Sequence, residues 1–391
     1  MKQGWEIKKL GDVIEIRNGK NQQAVLSETG KYKIMGSAGN VMGYSTDFIC
    51  EAGTTIIGRK GNISKPIYID ERFWNVDTAF GFYPKNEDEI DKRLIYYLCL
   101  GIDFGSMNRG TTIPSLVKSE LQTIQISYPK SLPEQQRIVA ILDTAFAAIA
   151  KAKTNAEQNV KNAAALFESY LQGVFENSDW ETKTLGEVVD FFNGFAFKSK
   201  DVIETSNTQL IRMGNLYQNQ LSLERRAVFY PDDFAITYKK FLLKANDLII
   251  SLTGTTDKED YGYTVKIPEN EYNLLLNQRI AKISIKNETA TNKDYLFHFL
   301  LSRTFLDKLY KTANGTRQAN LSTETMKGLS IKIPNIKQQQ IIVQKLDALS
   351  TETKKLEAIY QQKINDLEEL KKSVLQKAFS GELKTAKELV L

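Results

Sequence analysis

Hydrophobic positions along the chain follow two regimes that alternate twice. Short apolar runs bounded by Gly and Pro fill 1–133 and 179–336, whereas 134–178 and 337–391 carry apolar residues every three or four positions. In the first long stretch Ile138, Leu142, Ala145, Ile149, Ala152, Ala156, Val160, Ala163, Phe167, Tyr170 and Val174 follow spacings of four and three, the seam of a coiled coil. Adding 204 to each gives Ile342, Leu346, Leu349, Thr353, Leu356, Tyr360, Ile364, Leu367, Lys371, Val374 and Ala378. Lys371 interrupts this second seam, where the adjacent Leu370 is expected to fill in. The first seam is rich in Ala and the second in larger side chains, a pairing that lets two helices interdigitate. The pattern predicts two long antiparallel helices, each extending about 65 Å.

The short runs mix strand and helix signals. Thr54-Thr55-Ile56-Ile57 and Leu248-Ile249-Ile250-Ser251 read as buried strands that end in glycine loops. Leu94–Leu100 and Tyr295–Leu309 read as core helices. Ile124–Pro129 and Leu329–Pro334 read as strands that close their units. Both units are α+β.

The two units are copies. Trp5–Gly19 (WEIKKLGDVIEIRNG) matches Trp180–Gly194 (WETKTLGEVVDFFNG) at eight of fifteen positions without a gap, at an offset of 175. Ile138–Asp143 matches Ile342–Asp347, and Ser169, Leu171, Gln172 and Phe175 match Ser373, Leu375, Gln376 and Phe379, all at an offset of 204. The second unit is therefore 29 residues longer, with all the extra length before its helix. The chain reads globular, helix, globular, helix, an object with approximate two-fold internal symmetry. Its expected segments are 1–133, 134–178, 179–336 and 337–391.

Composition adds limits. A length of 391 residues with 42% hydrophobic and 25% charged residues is that of a folded chain of two or three domains. The net charge of +5 is too small to point to nucleic acid, so any DNA-binding face must come from local placement. Only two cysteines, Cys50 and Cys99, both in apolar runs, argue for a reducing compartment without disulfides. No apolar run approaches membrane-spanning length and the N-terminal residues lack a signal-peptide core, so a soluble, cytoplasmic protein is expected.

Catalytic constellations do not assemble from these residues. The single histidine, His298, lies in an apolar helical run and reads as a core residue. Two separated cysteines and one histidine build no zinc site. Gly53–Arg59 lacks the Lys-Ser/Thr of a phosphate-binding loop, and no dinucleotide-type glycine motif follows a strand. Glu6-Ile7-Lys8 and Glu181-Thr182-Lys183 read as surface charge beside the repeated Trp rather than as a nuclease acid–lysine pair.

Loops suited to DNA are present. Gly58-Arg59-Lys60-Gly61-Asn62-Ile63-Ser64-Lys65 combines cations with glycines, and at an offset of 193 its counterpart is Thr253-Gly254-Thr255-Thr256-Asp257-Lys258. Asn108-Arg109-Gly110-Thr111-Thr112 is a second candidate, matched near Ala313–Leu321, which contains Arg317. Arg212-Met213-Gly214-Asn215 and Asn277-Gln278-Arg279 complete the set. Any one of these alone is an ordinary solvated turn. Duplicated on two matched units, they read as DNA-contact loops: Arg59, Lys60, Asn62, Lys65, Arg109, Thr111, Thr112, Arg212, Asn215, Thr253, Thr255, Thr256, Lys258, Gln278, Arg279 and Arg317.

In this order, the Trp-x-x-x-x-Leu-Gly-x-Val openings at Trp5 and Trp180, Gly58-Arg59-Lys60-Gly61 with Phe73–Thr78, Leu252-Thr253-Gly254 with Asn277-Gln278-Arg279, Leu132-Pro133-Glu134-Gln135-Gln136, and Leu375–Leu383 resemble the specificity subunit of type I restriction–modification systems. The resemblance covers the whole chain. It implies two target-recognition domains separated by two long antiparallel coiled-coil helices, each domain reading half of a bipartite site in double-stranded DNA. It further implies a chain without catalysis or cofactor of its own. Methyltransferase subunits would bring S-adenosylmethionine, and restriction/translocase subunits would bring ATP and magnesium. Glu134, Gln135, Gln136, Gln339 and Gln340, at the helix starts, are the expected partner-binding residues. Lys337, standing where Pro133 has its counterpart, predicts looser docking at the second helix. The helix pair is expected to act as a ruler, with half-site centres about one helical turn apart. A non-DNA coiled-coil scaffold and a nuclease with an unrecognised acidic site are the alternative readings.

Overall fold

The computed structural model describes residues 3–176, 179–313 and 318–383. The chain divides into two compact units, 1–158 with 360–391, and 159–359. Both long helices, Leu132–Glu176 and Ile336–Ser380, are therefore shared, each starting in one unit and ending in the other. The expected boundaries at 133/134 and 336/337 cut at the helix starts instead. They follow the change in sequence period, whereas the packing follows which core each helix turn enters. No helix among the described residues is long and apolar enough to cross a membrane.

In unit 1 an antiparallel sheet runs in the order Ile14–Asn18, Ala79–Pro84, Thr54–Gly58, Ile67–Ile69. A second sheet runs Val41–Ser45, Tyr32–Met35, Phe73–Asn75, its last pair parallel. Trp5–Lys9 pairs with Gln125–Pro129. Thr54–Gly58 is buried along its whole length because both faces are covered. Ile57 faces the core that holds the helix Lys92–Leu100, and Ile56 faces the core of the second sheet with Phe73 and Trp74. Burial pushes the Cys50 thiol up to about 12 and raises that of Cys99, so both are inert packing residues.

Unit 2 repeats this plan. Its main sheet is Val189–Asn193, Ile280–Ile285, Leu248–Ser251, Thr264–Lys266, and Thr208–Ile211 runs parallel to Asn273–Leu276 in the second sheet. Glu181–Thr184 pairs with Ser330–Ile333. The repeated Asn-Gly that ends each opening motif has one cause in both copies. A Cβ on Gly19 would lie 1.8 Å from the Val76 carbonyl oxygen, and on Gly194 2.2 Å from that of Asn277. The expected single helix over Tyr295–Leu309 is two, Lys293–Leu301 and Arg303–Tyr310. Ser302 between them takes an extended backbone (ψ 148°) and turns its hydroxyl back to the Phe299 carbonyl at 2.6 Å.

The long helices complete the cores. In unit 1, Ile138, Leu142 and Ala145 of the first helix join Val374, Leu375 and Ala378 of the second in one core with the globular residues. The Lys153–Glu368 ion pair (2.5 Å), Lys371 over the Phe146 ring (5.1 Å) and Arg137 donating to the Leu383 carbonyl (3.3 Å) show the two segments running antiparallel. Lys371 thus keeps its seam position by covering an aromatic face, and Leu370 stays 39% exposed instead of filling in. In unit 2, Leu171 and Phe175 enter the core beside Tyr295 and Phe299. There the buried stripe moves one residue from the expected seam and leaves Tyr170 40% exposed, because those turns pack on a globular core.

The repeated helix motif is also explained. Asp143 accepts from Arg93 (2.9 Å) and from the Tyr97 hydroxyl (2.5 Å), and Asp347 pairs with His298 Nε2 at 2.8 Å. His298 is a core residue, 4% exposed. Burial lowers its pKa, and the Asp347 hydrogen bond only partly offsets this; Asp294 also raises it and Lys266 lowers it. Its Nδ1 has no partner, so the neutral ring donates from Nε2.

Two outcomes are expected. Ala378→Asp places a charge in the unit 1 core and should cost more than about 3 kcal/mol in denaturant unfolding of that unit. Because folding lowers the His298 pKa, the unfolded chain binds the extra proton first. Stability of unit 2 should then be full above the ordinary histidine range and fall as pH drops from about 7.5 to about 5.5, a dependence that His298→Phe should flatten in thermal melts.

Candidate nucleic-acid interface

In unit 1 the fold brings two of the expected loops together. Gly61 donates its backbone N–H to Pro114 (2.8 Å), Leu116 to Arg59 (3.0 Å), and Arg59 and Lys60 both to Thr78 (2.8 and 3.1 Å). Asn108 accepts from the N–H groups of Gly110 and Ser115, each at 2.8 Å, and pins the second loop. A Cβ on Gly58 would meet the Asn62 carbonyl oxygen at 2.1 Å, so that glycine serves the loop's own closure rather than the approach of a phosphate. Lys60, Lys65, Arg109, Thr111 and Thr112 are exposed on this surface, and Arg59 and Asn62 half-buried.

Arginine pairing separates cations engaged within the fold from those left open to solvent. Of the six arginines in unit 1, five pair with carboxylates: Arg17 with Glu15, Arg72 with Glu51, Arg93 with Asp143, Arg109 with Glu120 and Arg137 with Glu134. Of these six, Arg59 alone has no carboxylate partner among the described residues, and it sits in the joined loops. Arg109 is thus partly neutralised by Glu120 at 2.9 Å.

Unit 2 places its charge elsewhere. Leu252 donates to the Arg279 carbonyl and Leu321 to the Leu252 carbonyl, matching Arg59 to Thr78 and Leu116 to Arg59. The loop after this strand, however, is turned inward. Thr253 is 7% exposed, with its hydroxyl 3.1 Å from the Met213 sulfur. Thr255 gives its N–H and hydroxyl to Asp260 at 2.5 and 3.1 Å. The assignment of Thr253 and Thr255 as DNA contacts is corrected accordingly: one side chain is buried and the other is engaged by an acid. Lys258 is exposed. Thr256 stands beside them at the start of a short 3-10 turn, half-buried. Arg317 lies outside the described residues.

The weaker sequence candidates converge instead. Arg212, Gln278 and Arg279 line one cleft of about 790 Å³, together with Arg225 and Arg226, over an apolar floor that includes Phe197, Val228 and Tyr230. No carboxylate among the described residues lines it. Arg225 lies over the Tyr217 ring at 4.2 Å, and Arg212 donates to the Arg226 carbonyl at 2.7 Å. Asn215 also borders the cleft, but it is 1% exposed. Its amide is spent on the Arg212 N–H and on the Ser222 and Arg225 carbonyls (each 2.9 Å), so it shapes the wall and is not presented to the cleft as expected. Only Arg303 among the described arginines of unit 2 pairs with carboxylates, Glu259 and Asp307.

The sequence reading missed Arg225 and Arg226 because they lack counterparts in the first copy. The offset between units grows from 175 at Gly19/Gly194 to 193 at Arg59/Leu252, so eighteen added residues fall between these points, in the span that carries both arginines. By strand register Arg212 stands where unit 1 has Gly36, and Arg279 where it has Thr78.

The expected partner residues divide. Gln136 and Gln340 are exposed, and Glu134 pairs with Arg137. Gln135 and Gln339 are fully buried and structural, so their assignment as partner contacts is corrected. Gln135 accepts from the Asp91 N–H (2.8 Å) and donates to the Glu89 and Pro129 carbonyls (2.9 and 2.8 Å). Gln339 does the same with Asn292 (2.8 Å), Ala290 (2.8 Å) and Pro334 (2.7 Å). The second helix start is clamped as firmly as the first despite Lys337, with Asn335 accepting from the Gln338 N–H at 3.0 Å as its cap. The Glu6 and Lys8 pair is structural too: Lys8 is tied to Glu89, which also accepts from the buried Tyr128.

The family model for the type I restriction modification DNA specificity domain matches residues 2–159 and 177–369. The chain belongs to that family, whose members are recognition subunits and not catalysts. It is 24% identical to the type I restriction enzyme MjaVIII specificity subunit of Methanocaldococcus jannaschii, over 97% of this chain and 93% of that one. Its fold matches a chain from a structure of type I restriction–modification complex assembly and conformational transition (TM-score 0.74, 16% identity, 97% and 98% of the two chains covered). It also matches the specificity subunit from Thermoanaerobacter tengcongensis (TM-score 0.59, 17% identity, 98% of each chain covered).

Replacing Gln135 by Ala leaves a buried N–H and two carbonyls unpaired. It should cost roughly 2–4 kcal/mol of unit 1 stability in chemical denaturation, whereas Gln136→Ala should leave stability nearly unchanged.

Proposed function

We propose that each unit reads one half of a bipartite double-stranded DNA target. Unit 1 does so through Arg59, Lys60, Lys65 and the Thr111-Thr112 loop, and unit 2 through its arginine cleft. The observation that carries this is the placement of the arginines that have no carboxylate partner among the described residues: Arg59 on one joined-loop surface, and Arg212, Arg225, Arg226 and Arg279 around one cleft. Free guanidiniums and ammonium groups on exposed loops are what phosphate oxygens and base edges take up. In this reading methyltransferase and restriction/translocase subunits dock on the helix-bearing scaffold, near Gln136 and Gln340. S-adenosylmethionine, ATP and magnesium belong to those partners.

The test is DNA binding by the complex assembled with its methyltransferase partner. Arg59→Ala with Lys60→Ala should weaken binding and reduce the slope of log affinity against log salt by about two, near one per lost phosphate contact. An unchanged slope would remove this loop from the interface, and a parent complex with no salt-dependent affinity for DNA would favour a scaffold that does not touch DNA.

A further inference from the structure

Resting on that reading, we infer that Arg279 reads a guanine in the half-site of unit 2, while Arg225 and Arg226 hold the phosphate backbone beside it. Reading a base edge requires a side chain rooted in rigid backbone, and Arg279 is fixed on several sides. Its N–H donates to the Asn277 side chain at 3.0 Å, its carbonyl accepts from Leu252 at 2.9 Å, and Ile280 directly after it begins a buried strand. The preceding Gln278 donates its N–H to Phe195 at 3.0 Å. The guanidinium itself is exposed at the cleft and forms no hydrogen bond or ion pair among the described residues. Unit 1 has Thr78 in the equivalent place, so this position offers the first half-site no guanidinium fork.

The base follows from donor arithmetic. A guanidinium offers only donors, in a planar fork. Guanine presents two acceptors, O6 and N7, to the major groove, whereas adenine puts an amino donor where O6 would be and cytosine presents a donor at N4. No carboxylate among the described residues of the cleft competes for the fork.

Arg225 and Arg226 are built differently. They sit in a loop held by side chains, the Arg225 carbonyl by Asn215 (2.9 Å) and the Arg226 carbonyl by Arg212 (2.7 Å). Arg226 holds a left-handed backbone (φ 52°), and the Arg225 guanidinium sits over the Tyr217 ring at 4.2 Å, which leaves its N–H groups for an oxygen ligand.

The experiment maps the methylated motif made by the assembled complex and measures binding to duplexes carrying it. One half-site should contain a G·C pair at which Arg279→Ala relaxes the motif. The variant should bind the parental duplex about 5- to 150-fold more weakly while binding a duplex changed at that pair as the parent does. Arg279→Lys, which keeps the charge but loses the planar fork, should discriminate less than the parent and more than Arg279→Ala, and the other half-site should not change. Arg226→Ala should instead weaken all sequences alike and lower the salt slope by about one. The inference is overturned if the half-site sensitive to Arg279 contains no G·C pair, or if Arg279→Ala weakens every duplex equally and Lys restores it. A parent complex that methylates no defined motif would overturn the proposed function as well.

Discussion

Core closure by distant helix turns is the constraint on which the rest of the structure depends. Neither globular unit buries its apolar residues with its strands and short helices alone, and unit 1 draws on a second, distant stretch of chain. The core that begins at Trp5 and Leu10 is finished by Val374, Leu375, Ala378 and Leu383, and the core holding Tyr295 and Phe299 is finished by Leu171 and Phe175. Most of the free energy of such cores is apolar area removed from water, so a unit lacking its last helix turns would expose side chains it has no other means to cover. This explains why the end of each helix, and not only its start, repeats at the same offset. Those residues are core residues that happen to lie on helices.

The same constraint shows what the sequence made legible and what it did not. Period and repeat carried the secondary structure, the α+β class, the helix pair and the loop equivalences at offsets of 193 and 205, which backbone hydrogen bonds reproduce. Domain boundaries were not legible. A change of hydrophobic period marks where a helix begins, and says nothing of which core its later turns enter. Gln135 and Gln339 misled for a related reason: a polar residue at a helix start reads as exposed until the two carbonyls it must satisfy are seen beneath it. Likewise Lys371 reads as a defect in an apolar seam until the face of Phe146 is seen to receive it.

Cations posed the hardest problem, because pairing is not written in local order. The carboxylates that hold Arg72, Arg93 and Arg109 lie 21, 50 and 11 residues away. In sequence Arg109 looks as available as Arg59, and Arg225 and Arg226 look like a solvated charge pair in an inserted segment. Only the fold shows that the first is engaged and that the last two converge with Arg212 and Arg279.

Duplication then separates two obligations that a single domain would have to meet with the same residues. Positions that build the scaffold, such as Gly19 and Gly194, Gln135 and Gln339, or Asp143 and Asp347, are fixed by close approach or by buried hydrogen bonds, and they match between the copies. Positions at the rim of the loops diverge: Gly36 against Arg212, Thr78 against Arg279. An arginine already paired with a carboxylate must give up that partner before it can take a phosphate or a base edge, so its net gain on binding is small. One held by backbone contacts alone surrenders only water. The divergence between the copies therefore falls where a change of charge alters recognition at least cost to the fold.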